Sequence, residues 1–176
     1  MDPNFAVLES VVERCRIEEE GYDCFREGRA HRLQIWGQLP RGWVGNLSLH
    51  LFASGLTILS GDALREGTEG AGWAASFLLR PEDPEATIRH DFLRMARRAP
   101  SAIPALPAPS ISTSVRFSRS CPGTLHAHVR GSDSIGLLAE LLRRFDLFGL
   151  QPRQFVLRSK GDEVRDWFWL EPTAPR

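Results

Sequence analysis

The sequence predicts an α+β fold made of two similar halves, each an antiparallel sheet with helices on one face. Three observations carry this. A glycine frame is laid down twice: Gly37, Gly42 and Gly55 recur as Gly131, Gly136 and Gly149, since 131−37, 136−42 and 149−55 all equal 94, and Leu56 and Leu150 follow in the same register. Each frame is entered by an alternating apolar stretch and then carries apolar residues at steps of three and four, the periods of a strand and of an amphipathic helix. Between the two frames, "RRAPSAIPALPAPSISTS" (97–114) holds four prolines among alanines and serines, a composition that favours extended backbone over helix.

Taken in order, residues 3–20 place Phe5, Leu8, Val11 and Val12 along one side and predict a helical arm, either a packing element or a docking helix. "YDCFREG" (22–28) is a short candidate strand. "AHRLQIWG" (30–37) alternates Leu33 and Ile35 with polar neighbours, as a half-buried strand does. Residues 37–42 form a loop. In 43–54, Val44, Leu47, Leu51 and Phe52 mark a helix that Gly55 stops. Two strands, 56–64 and 73–79, flank a glycine-rich turn. A second helix is expected over 83–98, with Asp83 as cap, Pro84 in the first position, and Ile88, Phe92 and Met95 stacked on one side.

The second half repeats the plan. "SVRFSRS" (114–120) is a short candidate strand and "TLHAHVRG" (124–131) the core strand. Residues 131–136 form the loop, and 137–148 a helix with Leu138, Leu141, Leu142 and Phe145 facing a core. "QFVLRS" and "VRDWFWLE" make a hairpin around "KGDE".

A formal net charge of zero over 176 residues, with 42% hydrophobic and 25% charged residues, describes a globular chain and argues against a nucleic-acid binder held by a basic face. Of the 22 basic residues only Lys160 is a lysine; arginine clusters suit carboxylate or phosphate ligands. No apolar run approaches the roughly 18 residues of a bilayer span, so a cytoplasmic protein that does not bind a membrane is expected. Cys15, Cys24 and Cys121 are odd in number and lack Cys-x-x-Cys spacing, which predicts reduced thiols and neither a disulfide framework nor a zinc site.

The stretch "RGSDSIGLLAELLRRFDLFGLQPRQFVLRSKGDEVRDWFWL" resembles an ACT domain, a small ligand-sensing module with a βαββαβ, ferredoxin-like plan. Asp133, Gly136, Leu137, Leu138, Gly149, Leu150 and the run 166–168 stand where that family has its aspartate, glycine, paired leucines, second glycine and Asp-x-Phe strand. With the lead-in "VRFSRSCPGTLHAHVRGSD", the chain over about 22–171 is similar to the C-terminal ACT pair of the bacterial uridylyltransferase/uridylyl-removing enzyme family, which senses glutamine. The resemblance implies two ferredoxin-like units packed side by side: a helical arm at 1–21, a first unit at 22–99, a linker at 100–113 and a second unit at 114–176. The second unit lacks its last helix and strand, so the edge of its core strand must be covered by residues 114–118 or by a partner chain. ACT domains commonly associate, so a homodimer or a protein partner is implied.

The repeated loop carries the chemistry. A loop leading from a strand into a helix N-terminus presents backbone N–H groups and the positive end of a helix dipole, which suits a carboxylate. Gly131 and Gly136 permit left-handed turns and close approach, and Asp133 can accept hydrogen bonds from an ammonium group. The expected ligand site is therefore Gly131, Ser132, Asp133, Ser134, Ile135, Gly136 and Leu137, for an amino acid. Leu39, Arg41, Gly42 and Trp43 form a degenerate second site, because Leu39 replaces the acid. The plainer account is that the glycines turn the chain while Asp133 and Ser134 cap the helix. His126 and His128 share a strand face but have no third metal ligand in sight, and the sheet aromatics lack the basic-aromatic signature of an RNA reader. No nucleophile elbow, His-Glu-x-x-His or phosphate-binding Gly-x-x-x-x-Gly-Lys run occurs. The expectation is a non-catalytic regulatory module without cofactor or metal, with a ligand-free interaction module as the alternative.

Overall fold

The computed structural model describes residues 11–13, 20–65, 72–85, 87–102, 111–117, 123–133 and 136–173. In chain order the elements are β1 (Glu20–Glu27), β2 (Ala30–Gly37), α1 (Trp43–Ala53), β3 (Leu56–Arg65), β4 (Trp73–Pro81), α2 (Phe92–Arg97), β5 (Ile111–Phe117), β6 (Leu125–Ser132), α3 (Leu137–Leu147), β7 (Leu150–Lys160) and β8 (Glu163–Pro172). The strands form one antiparallel sheet in the order β1-β2-β4-β3-β7-β8-β6-β5. The fold is α+β.

Strand alternation decides which face is core. On β8 the buried Val164, Asp166, Phe168 and Leu170 alternate with the less buried Arg165, Trp167 and Trp169. Leu33, Ile35, Phe77 and Leu79 of the first half and Ala127, Val129, Phe155 and Phe168 of the second are fully buried, and they join Leu47, Leu51 and Leu141 of the helices in one continuous core. Rings thread that core across the two halves: Trp43 meets Phe77 at 6.4 Å, Phe77 meets Phe155 at 6.1 Å, and Phe155 meets Phe168 at 6.1 Å between centroids. On the other face Val11, in a helical turn, buries Trp36 and Ala74 of the first half. In the second half Trp167 stacks on His128 and Trp169 packs on His126.

Both helices open and close alike. Gly42 and Gly136 are left-handed N-caps, at φ 79 and φ 84, with no side-chain cap hydrogen bond. The helices they begin, α1 and α3, are each 11 residues long and end at the same repeat position. Asp133 is therefore not the helix cap.

Several expectations need correction. Neither half shows the βαββαβ order: the first runs ββαββα and the second ββαββ among the described residues, with the outer strand supplied ahead of the core strand, so the second half is without the last helix but is not a strand short of the first. β5 pairs with β6 from Ile111↔Gly131 to Phe117↔Leu125, so the edge of the core strand is covered from within the chain, as expected of residues 114–118, by a strand that starts earlier. β5 thereby takes 111–113 from the expected linker, whose residues 103–110 lie outside the described residues. The expected helix at 83–98 is only α2, because Asp91 intercepts it: its carboxylate accepts the Arg94 N–H at 2.9 Å, a cap in the middle of the predicted segment. Asp83 instead closes a turn by accepting the Glu85 N–H at 3.0 Å. Of the arm expected at residues 1–21, Val11, Val12 and Glu13 are helical and 1–10 and 14–19 lie outside the described residues, while Glu20 already belongs to β1. No helix among the described residues is long and apolar enough to cross a membrane.

Two glycine substitutions separate backbone strain from packing. A Cβ at Gly42 meets nothing within 4 Å, so Gly42→Ala should lose only about 1 kcal/mol, for the left-handed backbone. A Cβ at Gly61 would lie 2.6 Å from Cδ1 of the fully buried Phe77, so Gly61→Ala should lose about 1–3 kcal/mol through overpacking. Urea unfolding of the two variants measures both.

Candidate functional site

The seam between β3 and β7 organises everything near the loops. Its central pair is Asp62↔Val156, and 156−62 is again 94, so Asp62 faces the residue at its own repeat position. Gly61 pairs with Leu157 and Ala63 with Phe155, as an approximate two-fold axis through the central pair requires. The Arg158 guanidinium spans the seam, donating to both Asp62 carboxylate oxygens at 3.1 Å and to the Gly61 carbonyl at 3.3 Å. Helices α1 and α3 meet above it. The symmetry puts the strand-to-helix loop of each half against the helix of the other, and a cavity forms at each junction.

The first-loop cavity has a volume of about 980 Å³. Leu39, Pro40, Arg41, Gly42 and Trp43 supply one wall, and Ala139, Leu142, Arg143 and Asp146 of α3 the opposite one, with Leu150, Gln151 and Pro152 at the start of β7. Arg65, Trp73 and Arg97 complete it. Arg41 pairs with Asp146 and ties the loop of one half to the helix of the other. Arg65 pairs with Glu171, which also accepts from Gln151 at 2.9 Å; Arg97 pairs with Glu20. Arg143 and Arg144 both hold the Glu140 carboxylate, lowering it to about 2. Trp43 is 1% exposed, packs edge-on against Trp73 at 5.5 Å, and its Nε1–H has no hydrogen-bond partner among the described residues.

The second-loop cavity has a volume of about 260 Å³. Ser48 and Phe52 of α1 and Leu56, Thr57 and Ile58 of β3 stand where Leu142, Asp146, Leu150, Gln151 and Pro152 stand in the first. Asp133, Gly136, Leu137 and Leu138 form the loop side, with Asp162 and Asp166 close by and Arg80 the one guanidinium in the lining. The Asp133 N–H donates to the Asp162 carbonyl at 2.7 Å, which fixes the loop against the β7–β8 turn. Burial pushes the Asp166 carboxyl up to about 7; the Arg158 backbone N–H, at 3.2 Å, lowers it, the Asp133 charge raises it and the Arg158 charge lowers it.

The predicted site residues thus divide. Leu39, Arg41, Gly42 and Trp43 all line the larger cavity, so the loop expected to be degenerate has the roomier site. Asp133, Gly136 and Leu137 come together in the smaller one. Gly131 and Ser132 belong to the ladder of β6, paired with Val164 and Glu163, and Gly131 has no left-handed backbone. Ser134 and Ile135 lie outside the described residues. Asp166 was singled out only through the family resemblance, as part of a strand, and Arg65, Arg97, Arg143, Asp146 and Asp162 were missed as cavity residues. Their only sequence signal was the repeat offset, which relates Leu142 and Asp146 to Ser48 and Phe52 without saying that either pair faces the other half's loop.

No family model, curated protein or solved structure matches the chain.

Asp166 gives a pH test with a definite sign. Its native value, about 7, lies above the ordinary 3.8, so the native state holds the proton more tightly than the unfolded chain. The stabilising contribution is full below about pH 4 and is lost as the pH rises through about 7. Relative to wild type, Asp166→Asn should therefore gain stability between pH 4.5 and 8, as read from urea unfolding at both pH values; a difference independent of pH would refute the shift.

Proposed function

We propose that this chain is a cytoplasmic, non-catalytic regulatory module of the tandem ACT type, which binds a small ligand, an amino acid in the first instance, at its strand-to-helix loops. The observation that carries this reading is the pair of cavities. Each is walled by the loop of one half and the helix of the other, so an occupant touches both halves and favours the packing that accommodates it. The ββαββ order departs from the family plan, yet each half still lays a core strand, helix and hairpin in the succession that the family resemblance implies. At the second loop Asp133 receives the ligand's ammonium group, and the start of α3 receives its carboxylate.

A ligand-free assembly module is the competing reading, favoured by one feature: Leu147 and Phe148, at the C-terminal end of α3, are 69% and 79% exposed, an apolar tip suited to a second chain.

A thermal-shift screen of the purified protein against the twenty amino acids distinguishes these, because a ligand of the native state must raise the melting temperature. One amino acid should stand out, and Asp133→Ala should abolish its shift while leaving the unliganded melt in place. A flat profile favours the assembly module.

A further inference from the structure

The linings of the two quasi-equivalent cavities carry opposite excesses of ionisable side chains. Asp133, Asp162 and Asp166 line the second-loop cavity against the single guanidinium of Arg80. Arg41, Arg65, Arg97 and Arg143 line the first-loop cavity against the single carboxylate of Asp146. The carboxylates that pair with Arg65, Arg97 and Arg143 are Glu171, Glu20 and Glu140, none of which belongs to the lining. The position of the second loop's acid is held by Leu39.

Two independent features point the same way. The first turn of α1 lines this cavity with no acidic residue in it and no side-chain cap, so the positive end of its dipole is uncompensated locally, whereas α3 has Glu140 in its first turn. The Trp43 indole belongs to the same wall, and its buried Nε1–H is a donor without a partner among the described residues. The rest of the wall is apolar, from Leu39, Leu49, Leu142, Leu150 and Pro152. At about 980 Å³ the cavity sits at the upper end of the range for small-molecule sites and is far roomier than a free amino acid needs.

We propose that the first-loop cavity is an anion site, whose ligand is an organic acid: a carboxylate or phosphate monoester on an apolar body, without the ammonium group that the second-loop cavity attracts. The proposal rests on the reading of the loops as ligand sites and assigns them different ligands. The anion takes donors from Arg41 and the first turn of α1, and it competes with Asp146 for Arg41. Binding therefore exchanges a contact between the two halves for a contact with the ligand.

Isothermal titration of the full chain tests this with five probes: phenyl phosphate, phenylacetate, inorganic phosphate, phenethylamine and L-phenylalanine. Phenyl phosphate or phenylacetate should bind, and the better of the two identifies the acid; phenethylamine should not. The double variant Arg41→Gln/Arg143→Gln, which removes two solvent-exposed guanidiniums, should weaken that acid by about tenfold or more. Asp146→Asn should tighten it severalfold, a change in the opposite direction that misfolding does not produce. Arg165→Gln, outside the cavity lining, should leave the affinity unchanged. Unchanged affinity in the double variant, or binding of inorganic phosphate as tight as that of phenyl phosphate, overturns the proposal. Binding of phenylalanine with silence from both organic acids overturns the anion assignment and leaves the ligand-binding reading standing, whereas silence from every probe, together with a flat amino-acid screen, overturns both.

Discussion

The pairing of β3 with β7 is the constraint on which the rest of the molecule depends. Each half, taken alone, would expose a long strand edge and one side of a helix. Five residue pairs between Ser60↔Arg158 and Leu64↔Gln154 turn two four-stranded units into one sheet, and the Asp62–Arg158 bridge spans the junction. Because the central pair joins residues at the same repeat position, the seam behaves like an isologous dimer interface within one chain. The continuous aromatic core, the meeting of α1 with α3 and the two inter-half cavities all follow from that register.

Symmetry of backbone and asymmetry of side chains do different work here. The glycine caps at Gly42 and Gly136 have nearly the same dihedral angles, and the helices they begin are equal in length. The chemistry around them has diverged. Arg41 has no acidic or basic counterpart at Ile135, and Asp146 stands at the repeat position of the apolar Phe52. One scaffold thus presents a guanidinium-rich cavity at one end and a carboxylate-rich one at the other, where Asp133 and burial together keep Asp166 protonated more readily than an exposed aspartate. Two ligands of unlike charge, each touching both halves, would be coupled through the same seam.

The places where sequence reasoning missed have physical reasons. The helix expected at 83–98 had the right apolar spacing, but Asp91 supplies a better cap eight residues on, and residues 87–90 before it have no regular structure. β7 starts at Leu150 and runs through Pro152, where the register shifts, a combination that local propensity discourages and the sheet accommodates with an irregularity. β5 begins inside a proline-rich stretch because β6 has an edge to be covered, and that need is set by the sheet.

By itself the sequence determined the period of the core strands and of α1 and α3, the repeat offset of 94, the glycines that begin and end those two helices, and the two loops as the chemically distinctive positions. These are local properties, written in residues that are neighbours along the chain. Only the tertiary structure decided that the halves join edge to edge about a two-fold axis, that each loop faces the other half's helix, and that the roomier site belongs to the loop without the acid. Those facts depend on strand register and on charges brought together from both halves of the chain, such as Arg41 with Asp146 and Asp62 with Arg158, and no local pattern encodes such meetings.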